Sequence, residues 1–360
     1  MRFRSVFLFL HRWTDLFAGL LLALTGLTGS LLLFGEESEK FLNPGLQQVT
    51  PRQQRVSLQA ILESVRQGYP NERSLAIRLP RSASDVYEFW MNGREGPHIY
   101  VDPYSGALLG VQWPVRTLMG FLFFLHTDLL AGEIGETTIG IGGLLLVLLS
   151  VTGLVLWWPG MKKWGQGFVV RTRGTAPILT YDLHKTVGWF TLALLTLIAA
   201  TGTAMTFYPT SQRAIAGLTG FSPHPQPTSG VKPGLTPLPL DEILSKADQV
   251  MPDAITTWVV VPTTPHEIVK VRKKFAQELH PNGRSFVSLD QYSGQVLLVE
   301  HALQAPLGTR LDNLLYPLHI GSFGGATVRL LYTITGLAPA LLFATGLFLW
   351  RWKQKQRRAL

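Results

Sequence analysis

Four of the nine histidines stand just ahead of, or at the start of, long apolar runs: His11 in H-R-W, His126 in F-L-H-T-D, His184 in Y-D-L-H-K and His319 in P-L-H-I-G. A neutral imidazole is the commonest metal ligand in biology and a usual axial ligand of haem. The spacing of two of them is repeated. His126 precedes Thr152 of T-G-L-V-L-W by 26 positions, and His319 precedes Thr345 of T-G-L-F-L-W by the same 26. Trp157 and Trp350 each follow their histidine by 31 positions. One histidine ahead of an apolar helix is ordinarily a surface residue. The same histidine with the same ending, twice at one spacing, marks a duplicated unit. Two imidazoles facing each other from neighbouring helices make a six-coordinate haem site. With both axial positions filled, neither O₂ nor substrate binds the iron, and electrons leave from the haem edge.

The elements that must position these residues are membrane spans. A helix needs about 20 apolar residues to cross the ~30 Å hydrocarbon core. Four runs satisfy this, near Leu16–Phe34, Ile139–Trp158, Val187–Phe207 and Leu330–Trp350. The chain of 360 residues carries a net charge of +9, but its placement argues against nucleic acid. Arg2, Arg4 and Arg12 precede the first span; Lys162, Lys163, Arg171 and Arg173 lie between the second and third; Arg351, Lys353, Lys355, Arg357 and Arg358 close the chain. All fall on one side of a four-span arrangement, which the positive-inside rule makes cytoplasmic. His11 and His184 then share the inner face, and His126 and His319 belong near the outer one. Same-side pairing, His11 with His184 and His126 with His319, gives two b-type haems stacked across the membrane. A straight helix from His126 to Thr152 would run ~39 Å, so either the glycine-rich segment between them bends or His126 lies at the outer rim.

The resulting fold class is a membrane α-helical bundle of four transmembrane helices in two tandem halves, with two small α+β domains facing outward. Residues 1–35 hold the first helix, 36–115 the first outer domain, 116–158 the outer histidine segment and second helix, and 159–180 a cytoplasmic loop. Residues 181–208 hold the third helix, 209–315 a Pro-rich linker and the second outer domain, 316–352 the second outer histidine segment and fourth helix, and 353–360 a basic tail. In the first insert the spacing predicts a helix over Ser57–Tyr69, capped by Ser57, and strands over Ser74–Leu79, Asp85–Met91 and His98–Val101. In the second, a linker from Pro223 to Pro239 leads to a helix at Leu240–Val250 and strands at Ile255–Val261, Glu267–Lys273 and Ser285–Leu289. The turns D-P-Y-S-G at Asp102–Gly106 and D-Q-Y-S-G at Asp290–Gly294 read as hairpins. The opening M-R-F-R-S-V-F-L-F-L-H-R-W has too long an apolar stretch for a cleaved signal and reads as an uncleaved helix.

Several residues carry plainer readings. His98, His224, His266, His280 and His301 have no matched partners and read as surface residues of the inserts. Trp157, Trp158, Trp350 and Trp352 fit an aromatic belt. Arg12 and Lys185 follow their histidines directly and can pair with haem propionates or anchor the cytoplasmic face; Arg116, Arg310 and Arg329 are outer counterparts. The steps Thr25-Gly26, Thr152-Gly153, Thr201-Gly202 and Thr345-Gly346 allow close approach of helices or of a porphyrin face. The absence of cysteine excludes disulfides, Fe–S clusters and thiolate haem ligation. No phosphate loop, Rossmann glycine pattern or hydrolase motif is present.

The H-R-W start, L-H-T-D-L-L-A-G, Y-D-L-H-K-T-V-G-W, P-L-H-I-G and the T-G-L-x-L-W endings resemble the PepSY-associated transmembrane family, iron-regulated inner-membrane proteins that include siderophore reductases of Gram-negative bacteria. The resemblance covers nearly the whole chain, and the two inserts look like that family's PepSY domains. It implies a haem-dependent oxidoreductase of the bacterial inner membrane with both termini cytoplasmic. Electrons from a cytoplasmic or membrane donor would reach a ferric siderophore in the periplasm and release Fe(II). The family's haem-ligand positions correspond to His11, His126, His184 and His319. The glycine following His11 comes eight positions later, at Gly19, where His184 has Gly188. The competing reading is a non-redox, membrane-anchored sensor or protease-inhibitor binding protein. A transporter is the weakest, since no polar pathway is evident.

Overall fold

A chain segment in hydrocarbon must satisfy its backbone internally, and each of the four apolar runs forms one long helix. In the computed structural model, residues 3–70, 75–220, 225–230 and 234–358 are described. The helices are α1 (Phe3–Leu32), α2 (Gly35–Leu42), α3 (Pro44–Gln47), α4 (Leu58–Gly68), α5 (Leu118–Asp128), α6 (Gly132–Trp157), α7 (Ala176–Thr206), α8 (Tyr208–Thr219), α9 (Leu240–Val250), α10 (Leu307–Ile320) and α11 (Gly325–Arg358). Helices α1, α6, α7 and α11 are long and apolar enough to cross a membrane. The chain divides into a helical unit (Met1–Phe34, Leu122–Arg213, Leu315–Leu360) and a sheet unit (Gly35–Phe121, Ala214–Leu314).

In the helical unit, α1 packs against α6 and α11, and α7 packs against the same two. The contacts are close because small residues line them. A side chain at Gly26 would press on the Gly336 carbonyl and Pro339, and Ser30 donates to the Thr333 carbonyl at 3.0 Å. The segment between His126 and Thr152 bends. Helix α5 ends at Asp128, and Leu129 and Leu130 follow in left-handed conformation at φ 53° and 58°, which bulky residues rarely adopt. The buried Asp128 carboxylate accepts from the Leu130 N–H at 3.0 Å and helps hold the reversal. The second copy turns at Gly321, φ 69°, with the Tyr332 hydroxyl donating to the Leu318 carbonyl at 2.6 Å.

In the sheet unit, strands β1 (Leu75–Arg78), β2 (Tyr87–Met91), β3 (His98–Val101) and β4 (Leu108–Gln112) come from the first insert. Strands β5 (Ile255–Val261), β6 (Val269–Lys274), β7 (Ser285–Leu289) and β8 (Val296–Glu300) come from the second. The sequence suggests two small domains, but the strands form one antiparallel sheet in the order β4-β3-β2-β1-β5-β6-β7-β8. The junction is β1 on β5, with Leu75 opposite Val261 and Arg78 opposite Trp258. One core serves both inserts: Leu58, Ile61 and Leu62 of α4 and Ile243 and Ala247 of α9 pack with Ile77, Phe89, Val259, Val271 and Val287. The D-x-Y-S-G segments are hairpin turns. Asp102 accepts from the Tyr104 N–H at 2.8 Å, Asp290 accepts from the Ser293 N–H at 2.8 Å, and Gly106 and Gly294 take the left-handed position. Ser74, Pro223 and the last two residues of the basic tail lie outside the described residues.

Candidate functional site: two facing pairs of histidines

The helical unit brings the four histidines together in two pairs. His11 of α1 faces His184 of α7, and His126 of α5 faces His319 of α10, each with ring centroids 6.2 Å apart. The two levels are joined by continuous helices. His11 and Thr28, the latter touching His126, are 17 residues apart on α1, and His184 and Thr201, the latter touching His319, are 17 apart on α7. At 1.5 Å per residue the levels lie about 25 Å apart along the helix axis.

Each imidazole is oriented through Nδ1. His11 meets the Thr152 hydroxyl at 2.9 Å and His184 the Thr345 hydroxyl at 2.8 Å. His126 meets the Thr25 carbonyl at 2.9 Å and the Thr28 hydroxyl at 3.2 Å. His319 meets the Ile198 carbonyl at 3.0 Å and the Thr201 hydroxyl at 3.3 Å. A carbonyl only accepts, so Nδ1 of His126 and of His319 carries the proton. The four threonine hydroxyls donate to carbonyls one turn back, Thr152 to Leu148, Thr345 to Leu341, Thr28 to Leu24 and Thr201 to Leu197, at 2.7–2.9 Å. Their lone pairs are what remains for histidine, so His11 and His184 also donate from Nδ1. All four Nε2 atoms therefore keep a free lone pair, the tautomer a metal ligand needs.

The glycine after three of these threonines makes room for the ring, while the fourth, Gly346, faces Asp15 most closely. A Cβ on Gly29 would lie 2.8 Å from Cε1 of His126, one on Gly202 2.8 Å from Cε1 of His319, and one on Gly153 3.2 Å from Cε1 of His11. From the sequence these steps, beginning at Thr25-Gly26, are surfaces for the close approach of helices or of a porphyrin face. The structure divides the roles: Gly26 serves the contact of α1 with α11, and Thr28-Gly29 receives His126. The overlooked signal was the L-T-G-L-T-G doublet, which offers a second step three residues on.

The two cations that follow the inner histidines have different surroundings. Lys185 donates to Asp182 at 3.3 Å and to the Val169 carbonyl at 3.1 Å, so it is committed within the protein. Asp182, fully buried, also receives Arg171 Nε at 2.8 Å and its backbone N–H at 3.0 Å. Arg12 differs: its Nε is buried without an acceptor among the described residues. Asp15, one turn after His11, occupies the position that Gly188 holds after His184, and its carboxylate lies over Gly19 and Gly346. Trp157, the last residue of α6, is packed within the protein. It is 9% exposed and stacks on Trp189 at 3.9 Å, with Trp164 and Phe168 edge-on.

His98 also departs from expectation. It is 8% exposed, stacked on Trp90 at 4.3 Å and 3.1 Å from the Glu88 carboxylate. Burial alone would raise the Glu88 carboxyl, but the hydrogen bond from His98 and the charge of Arg78 hold it below the usual carboxylate range. His301 stacks on Phe275 at 4.4 Å, His266 is exposed, and His224 lies outside the described residues.

Four long apolar helices beside an antiparallel sheet unit define a multi-pass membrane protein with an appended sheet domain. The chain belongs to the family of the PepSY-associated TM region, whose pattern matches residues 8–353. No curated protein matches it.

Proposed function

We propose that this chain is a di-haem reductase of the bacterial inner membrane, with His11 and His184 as axial ligands at the inner level and His126 and His319 at the outer. The observation that carries this reading is the two facing imidazole pairs, each ring with Nδ1 occupied and Nε2 free. Two metal–nitrogen bonds of about 2 Å with half an imidazole ring beyond each would span about 6–6.5 Å between ring centroids, and the rings of both pairs stand 6.2 Å apart. Among the described residues no three His, Asp or Glu side chains converge. Two imidazoles are too few for a bare ion but suffice for a metal whose equatorial positions are filled by a macrocycle. The buried Arg12 Nε beside His11 suits a carboxylate such as a propionate.

Haem so held supplies reversible one-electron Fe(III)/Fe(II) chemistry. The protein's part is to fix the ligands. The threonine and carbonyl acceptors set ring orientation and raise imidazole basicity. The apolar helices exclude water, and the left-handed break after α5 lets His126 meet α1. The charge pattern favours a cytoplasmic placement of both termini and a periplasmic sheet unit. One electron from a cytoplasmic or membrane donor would then reduce one ferric siderophore in the periplasm, Fe(III) to Fe(II), and the weaker Fe(II) complex releases its metal.

The deciding experiment is a dithionite-reduced minus oxidised visible spectrum of the purified chain, with haem quantified. Two b-type haems per chain are expected, falling to one in His319→Ala. Protein made with ample haem supply that carries none would sink the proposal and favour an anchored binding protein.

A further inference from the structure

The chain's excess positive charge is confined to three segments, 1–14, 158–181 and 351–360. Together they hold twelve Lys and Arg and no Asp or Glu, while the rest of the chain has 20 cations against 23 acids. Some of the twelve are committed within the protein: Arg171 to the buried Asp182, and Arg4 to the Leu156 carbonyl at 2.7 Å. The five that close the chain are not. Arg351, Lys353, Lys355, Arg357 and Arg358 are all exposed, and none has an ion-pair or hydrogen-bond partner among the described residues. They share the last two turns of α11, where Arg351 with Lys355 and Lys353 with Arg357 stand at the i,i+4 spacing at which like charges repel. A helix C-terminus favours cations in its last turn, which accounts for Lys355, Arg357 and Arg358 but not for Arg351 and Lys353.

Helix α11 also runs further than its neighbours. Helices α1 and α7 begin at Phe3 and Ala176, 8 residues ahead of His11 and His184, or about 12 Å along the axis. Helix α11 continues 13 residues past Thr345, which meets His184, or about 20 Å at the same rise. With the two histidine levels set evenly about the midplane of a bilayer about 40–45 Å thick, headgroups included, the inner level lies about 12 Å from the midplane and the end of α11 about 32 Å. The last turns therefore rise about 10 Å past the lipid surface. Cations that anchor a span or bind anionic lipid act at headgroup depth; a basic helix carried past that depth faces the aqueous phase.

We propose that this projecting end of α11 is the docking surface for a small acidic one-electron carrier protein. Its charge is complementary to such a partner and steers it to the end of the bundle where His11 and His184 lie. A carboxylate-bearing surface would also relieve the repulsion among the five cations. The carrier is oxidised by one electron, which the inner site takes up as Fe(III) becomes Fe(II); no atom or proton changes hands. That the docked protein is the electron donor rests on the reductase reading above.

The test uses the full chain in nanodiscs of zwitterionic lipid, with flavodoxin and a plant-type ferredoxin, both small acidic carriers, as probes and surface plasmon resonance as the readout. At least one carrier is expected to bind, and to bind about tenfold or more weakly as NaCl rises from about 50 to about 500 mM. The basic protein cytochrome c is expected not to bind. Lys353→Gln, Lys355→Gln and Arg357→Gln combined should weaken binding about tenfold or more while haem content stays unchanged. The same variant should slow reduction of the haem-loaded chain by the reduced carrier by a similar factor. Failure of both carriers to bind, equal binding of cytochrome c, or wild-type affinity or reduction rate in the triple variant would each overturn the assignment. Protection of Lys353 and Lys355 from trypsin by phosphatidylglycerol in the discs would give the segment to the lipid surface instead. Tighter binding of a short DNA duplex than of either carrier would give it to nucleic acid. If a carrier binds as expected to a chain that holds no haem, the docking surface stands and the reductase reading falls. Two haems in a chain that binds neither carrier gives the reverse.

Discussion

Each histidine pair depends on residues from neighbouring helices. Gly202→Val and Gly29→Val would drive a side chain into the outer rings. Either is expected to cut haem from two per chain to one while leaving the helical circular dichroism intact. Thr152→Val and Thr345→Val keep shape but remove the hydroxyl acceptor. At the inner level they should speed haem loss to an acceptor protein about tenfold, the lower end of such effects, because His11 and His184 retain backbone acceptors at Leu149 and Leu342. The histidines were legible in the sequence because their spacing repeats. Their acceptors were not, because a threonine that bonds its own helix carbonyl looks the same whether or not an imidazole leans on it. Asp182 was hidden for a related reason: it lies two residues from His184 in Y-D-L-H-K, and its role is seen only once Arg171 and Lys185 close on it.

At the scale of elements, α4 and α9 cap each other. The Asp241 carboxylate accepts from the Leu58 and Gln59 N–H groups at 2.9 Å and from the Ser57 hydroxyl at 2.7 Å, while the Gln59 side chain accepts from the Leu240 N–H at 2.9 Å. Burial alone would raise the Asp241 carboxyl, but these donors hold it below its ordinary value. A carboxyl depressed in the folded state stabilises it above the unfolded value of about 3.9 and stops doing so as pH falls through the folded value. Asp241→Asn should therefore cost about 1 kcal/mol at neutral pH and flatten the loss of stability below about pH 4, as read by urea titration. The sequence placed α9, β3, β5 and β7 at the residues they occupy, because their apolar periods are clean and turn residues bound them. The helices extend beyond the apolar runs themselves: α1 begins at Phe3, within the 1–35 expected for the first helix, and α7 at Ala176, five residues ahead of the expected 181. The polar residues that interrupt the apolar runs, His11, Asp15 and His184, are the ones turned toward other helices.

For the whole molecule, the charge pattern makes a topology that can be measured. Alkaline phosphatase fused after Thr219 should be active and after Gly165 inactive, with a fluorescent protein after residue 360 lit; the opposite pattern would invert the proposed direction of electron flow. The sequence could not show that the two inserts share a sheet. β1 and β5 each alternate as any half-buried strand does, and nothing in either names the other as neighbour. Their pairing also has a consequence for how the protein is made. Residue 75 meets residue 261, so at bacterial elongation rates of about 5–20 residues per second the first strand waits on the order of 10–40 s for its neighbour. During that interval four strands stand at the ribosome with a bare hydrogen-bonding edge, the arrangement most prone to pairing with another nascent chain. Slowing synthesis between the inserts should lower the yield of this protein more than slowing it after Val261, and edge-binding chaperones should meet it in that window.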